Sequence, residues 1–225
     1  ASIVELRDPR QHEATNADEA ASAFIHPEPF IESDDPQIVA EAARAVEHAD
    51  TPRARAERLV RYVNALLEKK PTVSLPSARE VLRTGVGDCN EHTVLYVAMA
   101  RASGIPARIS VGLAFSRGAF YYHAWPEVYI DEGRGRGLWL PVDPTFNQFP
   151  ADALHLRLAR GGLAEQARIL PLIGKLEIAV LDLDMTPGTS QVVVGRTEFD
   201  SAPLAIPVPQ RSTPSCWDWL EPRRR

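Results

Sequence analysis

Cys89 stands directly after Gly85-Val86-Gly87-Asp88 and opens a segment in which Val94, Leu95, Ala98, Met99 and Ala102 recur at helical spacing. A thiol at a helix N-terminus feels the positive end of the helix dipole and unpaired backbone N–H groups, and both favour thiolate. Gly85 and Gly87 allow a sharp turn and a close approach of substrate to the backbone. A nucleophile of this kind needs a base, and the base needs an acceptor that fixes its orientation. His123 lies 34 residues downstream and Asp143 a further 20, at the end of the run Leu138 to Val142. The chemistry open to such a trio is attack of a thiolate on a carbonyl, with the imidazole carrying the proton. Each residue taken alone also has a plain reading. Cys89 is a small buried hydrophobe, His123 a hydrogen-bonded core residue, and Asp143-Pro144-Thr145 a turn signal. Their order along the chain is what favours the chemical one.

Other residues invite shorter readings. Cys89 and His92 share a helix face, half of a metal site whose second thiol is missing, so no metal is expected. Cys216 falls in an irregular tail and reads as a spare thiol. Asp152 and His155 follow Asp143 closely and are candidates to border the site. Tyr121, Tyr122, Trp125 and Trp139 could line a cleft or fill a core. Arg101 and Arg108 flank the Gly104-Ile105-Pro106 turn and read as structural, pairing with carboxylates.

The elements that must position these groups can be read from punctuation and period. Asp34 or Asp35 with Pro36 starts a helix with Val39, Ala42, Ala43 and Val46 on one face. Thr51-Pro52 starts a second, carrying the stripe Leu59, Val63, Leu66 and Leu67. Ser77 to Glu80 reads as a capping box for a short helix that Gly85 ends. The helix opened by Asp88 is amphipathic in pattern and is closed by Gly104 and Pro106. Beyond it the period falls to two. Strands are expected over 108–115, 121–130 and 138–142, and again over 176–183 and 191–194. Helices followed by consecutive strands with short turns predict an α+β fold with an antiparallel sheet.

With 225 residues, the chain can bury one core of ordinary size. The expected division is an arm over 1–33, a catalytic domain over 34–195 and a Pro-rich tail over 196–225. A net charge of −5 gives no reason to expect nucleic acid or an anionic membrane as partner. The longest apolar candidate, Leu170 to Leu183, is interrupted by Pro171, Gly174, Lys175, Glu177 and Asp182, so no membrane span is expected. Two cysteines exclude a disulfide scaffold and a four-thiolate zinc site. Oligomeric state is not legible.

Four blocks in order carry a family likeness: Gly87-Asp88-Cys89-Asn90-Glu91-His92, then Arg101 to Arg108, then His123-Ala124-Trp125-Pro126-Glu127-Val128-Tyr129, then Trp139-Leu140-Pro141-Val142-Asp143-Pro144-Thr145. Over about residues 77 to 160 the chain resembles the bacterial branch of the transglutaminase-like superfamily. The continuation Phe146 to Leu156 is similar to a segment of exported members, which implies an exported or periplasmic setting. The resemblance implies a papain-like fold. It makes Cys89 the nucleophile, His123 the general base and later acid, and Asp143 the residue that fixes the imidazole tautomer, acting on a protein or peptide substrate. The Cys89 N–H is the natural oxyanion donor, and Asp88, Asn90, Trp125 and Tyr122 are the expected substrate or oxyanion contacts. Animal cross-linking members carry a Trp upstream of the nucleophile. The first Trp here is Trp125, which favours hydrolysis of peptide or amide bonds over cross-linking; a catalytically idle peptide-binding module is the rival from another class. No EF-hand-like loop is present, and no cofactor is expected.

Overall fold

The computed structural model describes residues 4–7, 21–72, 77–116, 118–131, 137–161, 178–186, 189–194 and 204–206. Cys216 and most of the expected tail lie outside them. A strand β1 (Val4–Arg7) and a 3-10 turn (Ala21–Phe24) precede three helices: α1 (Pro36–Ala45), α2 (Pro52–Leu66) and α3 (Ala78–Thr84). Two starts form as their residues dictate. The Asp35 carboxylate accepts from the N–H groups of Gln37 and Ile38 ahead of α1, and the Thr51 hydroxyl accepts from Ala54 N–H ahead of α2. The buried face of α1 is Ile38, Ala42 and Ala45, whereas Val39 and Ala43 point outward. Both stripes have helical spacing, and the one holding the larger side chain, Ile38, turns inward. The capping box expected at Ser77 does not form. The Ser77 hydroxyl donates to Glu32, and Glu80 is taken up by Arg83. Gly85 ends α3 in the left-handed region, at φ 66°.

The central helix α4 (Cys89–Ala102) is not amphipathic in the fold: every residue from Glu91 to Arg101 is buried. It packs against α1, α2 and α3 and against the sheet, and a helix covered all round has no solvent face to keep polar. Its polar residues find internal partners instead. Thr93 donates to the Ala124 carbonyl at 3.1 Å. Arg101 donates to the Ala107 and His26 carbonyls and to Glu28, the structural role expected of it.

The sheet beside α4 has the order β6-β5-β4-β7, built from β4 (Ala107–Ser116), β5 (Ala119–Ile130), β6 (Leu138–Pro141) and β7 (His155–Arg160), all antiparallel. In the β4–β5 ladder Gly112 lies opposite His123. The β4–β7 register shifts between Val111 and Gly112, and a Cβ on Gly112 would meet the Leu156 carbonyl oxygen at 2.0 Å. Glycine therefore lets three strands crowd together beside the histidine. A short parallel pair, β2 (Glu68–Lys69) with β3 (Val86–Gly87), anchors the residues leading into Cys89.

The strands expected over 176–183 and 191–194 are present as β8 (Ile178–Thr186) and β9 (Thr189–Val194). They belong to a second antiparallel sheet, β1-β9-β8-β10, completed by β1 and β10 (Leu204–Ile206). These two partners fall in the stretches read as arm and tail, and at four and three residues they are too short to announce a period of two. The fold is α+β with an antiparallel sheet against the Cys89 helix.

Candidate active site

The start of α4 is built by reciprocal caps. The Asp88 carboxylate accepts from Asn90 N–H at 3.0 Å, while the Glu91 carboxylate accepts from Asp88 N–H at 3.0 Å. The Thr72 hydroxyl donates to the other Glu91 oxygen. A Cβ on Gly87 would meet Glu91 Cβ at 2.2 Å, so the approach needs glycine at that position. Burial pushes the Asp88 acid up to about 7, and its hydrogen bond to Glu91 adds to the rise. Two carboxyl groups thus share a confined space one residue before the thiol. The Asp88-x-x-Glu91 spacing is a cap signal legible in the sequence. Asn90 is half-buried in the first turn.

Cys89 is buried at 6% exposure, and its sulfur is close enough to the His123 ring to help raise that ring's pKa. His123 Nε2 meets Asp143 Oδ2 at 2.7 Å, with both side chains fully enclosed. That contact leaves Nδ1 as the ring nitrogen for the thiol. Burial alone lowers the His123 pKa; the Asp143 carboxylate and the Cys89 sulfur more than reverse this and raise it to about 10. Asp143 is a saturated acceptor. Its Oδ1 accepts from Thr145 N–H at 2.7 Å and Phe146 N–H at 2.9 Å, and its Oδ2 also meets His155 Nε2 at 3.0 Å. Burial pushes this acid up, but His123 and His155 hold it well below the usual carboxylate range. The turn read at Asp143-Pro144-Thr145 is present through Oδ1, while Oδ2 faces the two imidazoles. Phe146 stacks on His123 with centroids 4.5 Å apart and planes 7° apart, a contact sequence reasoning missed.

Of the other expected contacts, Trp125 is 1% exposed, stacked near His123 and edge-on to His155. It is a wall of the site and presents no open surface to a substrate. Tyr122 precedes His123 on an extended strand, so it points to the opposite face. Trp139 lies away from the trio, 3.8 Å beneath the Arg108 guanidinium, which pairs with buried Glu127 at 2.8 Å. His92 is fully buried. Its Nδ1 donates to the Asp88 carbonyl at 2.6 Å, and burial lowers its pKa to about 4, so it stays neutral. Lys69, on β2, is half-buried and lies within electrostatic range of Asp143; desolvation lowers its pKa. Nothing in its sequence context marks it. His123, Asp143 and His155 bring three donor atoms within 4.8 Å of one another. Their 2.7 and 3.0 Å contacts are hydrogen bonds, and a metal there would require both Nε2 protons to leave.

Residues 40–144 match the model of the Transglutaminase-like superfamily. Over that stretch the chain is similar to a transglutaminase-like domain. Among solved structures, this chain is similar to one from Cytophaga hutchinsonii whose description proposes a cysteine protease, with 21% identity over 85% of this chain and 70% of that one, at a TM-score of 0.58. That likeness supports the papain-like fold. The periplasmic domain of TgpA from Pseudomonas aeruginosa aligns with 27% identity over 50% of this chain and 43% of that one, at a TM-score of 0.40. The same domain bound to ethylmercury aligns with 21% identity over 64% and 55%, at 0.47. No curated protein matches the chain. The matched stretch holds Cys89, His123 and Asp143 and stops before Asp152 and His155. No described helix is long and apolar enough to cross a membrane.

Proposed function

We propose that the protein is a cysteine-dependent acyl-transfer enzyme that hydrolyses peptide or amide bonds through a thioester on Cys89. The observation that supports this most directly is the unbroken series Cys89, His123, Asp143, with the sulfur at a helix N-terminus and the carboxylate at 2.7 Å from the far ring nitrogen. Asp143, an acceptor, fixes His123 with its proton on Nε2, leaving the Nδ1 lone pair for the thiol proton. The resulting thiolate attacks the carbonyl carbon, and charge moves to oxygen beside the first N–H groups of α4, with Cys89 N–H as the nearest donor. Collapse of the oxyanion breaks the C–N bond, and His123 Nδ1–H protonates the leaving amine. His123 then takes a proton from water, whose oxygen attacks the thioester. The acid product leaves and the Cys89 thiol is restored.

A primary amine in place of water would give cross-linking. The absence of any Trp before Trp125 favours water over animal-type cross-linking, because the animal cross-linking members place one upstream of the nucleophile. Thiol labelling and amine competition test both levels. Iodoacetamide should modify Cys89 faster than Cys216 near neutral pH, and His123→Ala should slow it sharply; equal slow labelling of both thiols would overturn the enzyme reading. With a glutamine donor peptide and a fluorescent amine, release of ammonia and free acid should exceed amine incorporation. Efficient incorporation would reverse the preference for hydrolysis.

A further inference from the structure

We propose that His155 is a positioning residue for the acyl-transfer step: a buried imidazolium clamped between Asp143 and Asp152 that sets how tightly Asp143 holds the proton of His123. The inference rests on the acyl-transfer reading above and extends it to a residue outside the matched family segment. His155 Nε2 meets Asp143 Oδ2 at 3.0 Å and His155 Nδ1 meets Asp152 Oδ1 at 2.9 Å, with the ring 4% exposed. Ionised carboxylates only accept hydrogen bonds, so a ring bonded to one at each nitrogen must carry both protons. The partners hold Asp143 and Asp152 below the usual carboxylate range after burial has pushed each up. Burial lowers the His155 pKa as well, and Asp143 and Asp152 reverse that into a net rise.

The loop between the two aspartates is built to return His155 to this place. Asp143 and Gln148 exchange backbone hydrogen bonds at 2.9 Å. Gln148 Nε2 donates to Asp152 Oδ2 at 2.9 Å, Asp152 N–H donates to Gln148 Oε1, and Leu154 N–H donates to Asp152 Oδ1. The groups facing the His155 ring are Asp143, Asp152 and His123, with Trp125 and Phe146 as uncharged walls and Ala114 as its ladder partner on β4. Lys69 and His92 are the next groups around Asp143, and His92 is neutral.

The consequence for the reaction is electrostatic. If Asp143 served His123 alone, its full charge would hold the imidazolium and oppose proton delivery to the leaving amine. A second cation on the same oxygen divides that pull, bringing the base nearer the operating pH. The two ring centroids are 5.8 Å apart. At that distance a unit charge is worth about one to two pH units in the titration of His123.

The test combines imidazole NMR with thiol kinetics on the whole chain. Six histidines make the long-range proton–nitrogen spectrum tractable, and the signals lost in His155→Gln identify the ring. In the wild type, both His155 nitrogens should be protonated at pH 7.5, and a neutral ring there would overturn the proposal. In His155→Gln, the His123 signals and both limbs of the iodoacetamide profile of Cys89 should move to higher pH by about one to two units. Asp152→Asn, at a half-exposed position, should move them the same way by less, and serves if His155→Gln does not fold. Superimposable His123 titrations in all three proteins would refute the tuning. A flat, slow wild-type alkylation profile would instead sink the acyl-transfer reading, while the ring titrations still decide the state of His155.

Discussion

Replacing Asp143 with Asn removes one charge and keeps the shape, which makes it the sharpest probe of the carboxylate. The amide oxygen of Asn can still accept from Thr145 and Phe146 N–H, so the turn that follows survives. Its amide nitrogen then faces His123 Nε2 and His155 Nε2, where Asp143 Oδ2 now meets both rings at 2.7 and 3.0 Å. An NH2 group donates, so each ring must offer a lone pair at Nε2 and carry its proton on Nδ1. For His123 that places a donor toward Cys89 where an acceptor is needed. The imidazolium also loses a charge-assisted hydrogen bond, worth about 1.5–3 kcal/mol, together with its counter-charge. Burial, which lowers the pKa of this ring by itself, is then unopposed from that side. A loss of about 3 kcal/mol corresponds to roughly two pH units in the range over which the imidazolium persists. The limb governed by His123, near 10 in the wild type, should shift down by about two units, so the alkylation rate of Cys89 should fall by about 10-fold near pH 9, between the two positions. The assay is the iodoacetamide rate against pH, with near-ultraviolet circular dichroism and a melting curve as fold controls. An Asp143→Asn profile identical to wild type, in a folded protein, would refute the reasoning. Asp143→Ala supplies the contrast: it orphans two backbone N–H groups, at about 1–3 kcal/mol each, and should be the less stable variant.

Two further outcomes follow from the packing and from the acid pair. Gly112→Ala places a Cβ 2.0 Å from the Leu156 carbonyl, against backbone that cannot rotate away; urea titration should show a loss of about 2 kcal/mol or more, and an unchanged midpoint would contradict the crowding at this strand. Asp88 carries a pKa raised from 3.8 to about 7 in the fold, so the folded state binds its proton more tightly than the unfolded one. Its contribution to stability is present below about pH 4 and is lost as pH rises toward 7, by roughly 4 kcal/mol. Asp88→Asn keeps the cap and should flatten that decline in urea titrations across the range, whereas parallel wild-type and variant curves would show that the acid is not perturbed.

What the sequence made legible was punctuation and period. Asp35-Pro36, Thr51-Pro52, Gly85 and Gly104 mark helix ends by backbone geometry, which needs no tertiary partner, and these elements formed where they were expected. The faces were harder to read. Val39 and Ile38 both lie on helical stripes, and only packing against α4 decides which is buried. The α4 sequence looks amphipathic because Thr93 and Arg101 are polar, yet both are satisfied internally by carbonyls that no local pattern reveals. At the site, Cys89, His123 and Asp143 could be picked out because their residue types have few joint uses. Phe146 and Lys69 could not, since stacking and proximity across strands leave no mark in residue order. His155 and Asp152 could be seen as neighbours but not as partners, because the sharing of one carboxylate oxygen by two rings is a fact of geometry alone.

The burial of α4 from Glu91 to Arg101 also bears on how the protein unfolds. Segments open independently when few apolar contacts hold them, and the most enclosed elements open only with the whole domain. Cys89 opens such an element, and His123 lies on β5, a strand paired on both sides. The reactive thiol therefore has no private route to disorder. Heat or denaturant should extinguish thiol reactivity and tertiary packing in one transition, with no intermediate regime in which the domain persists around a melted centre.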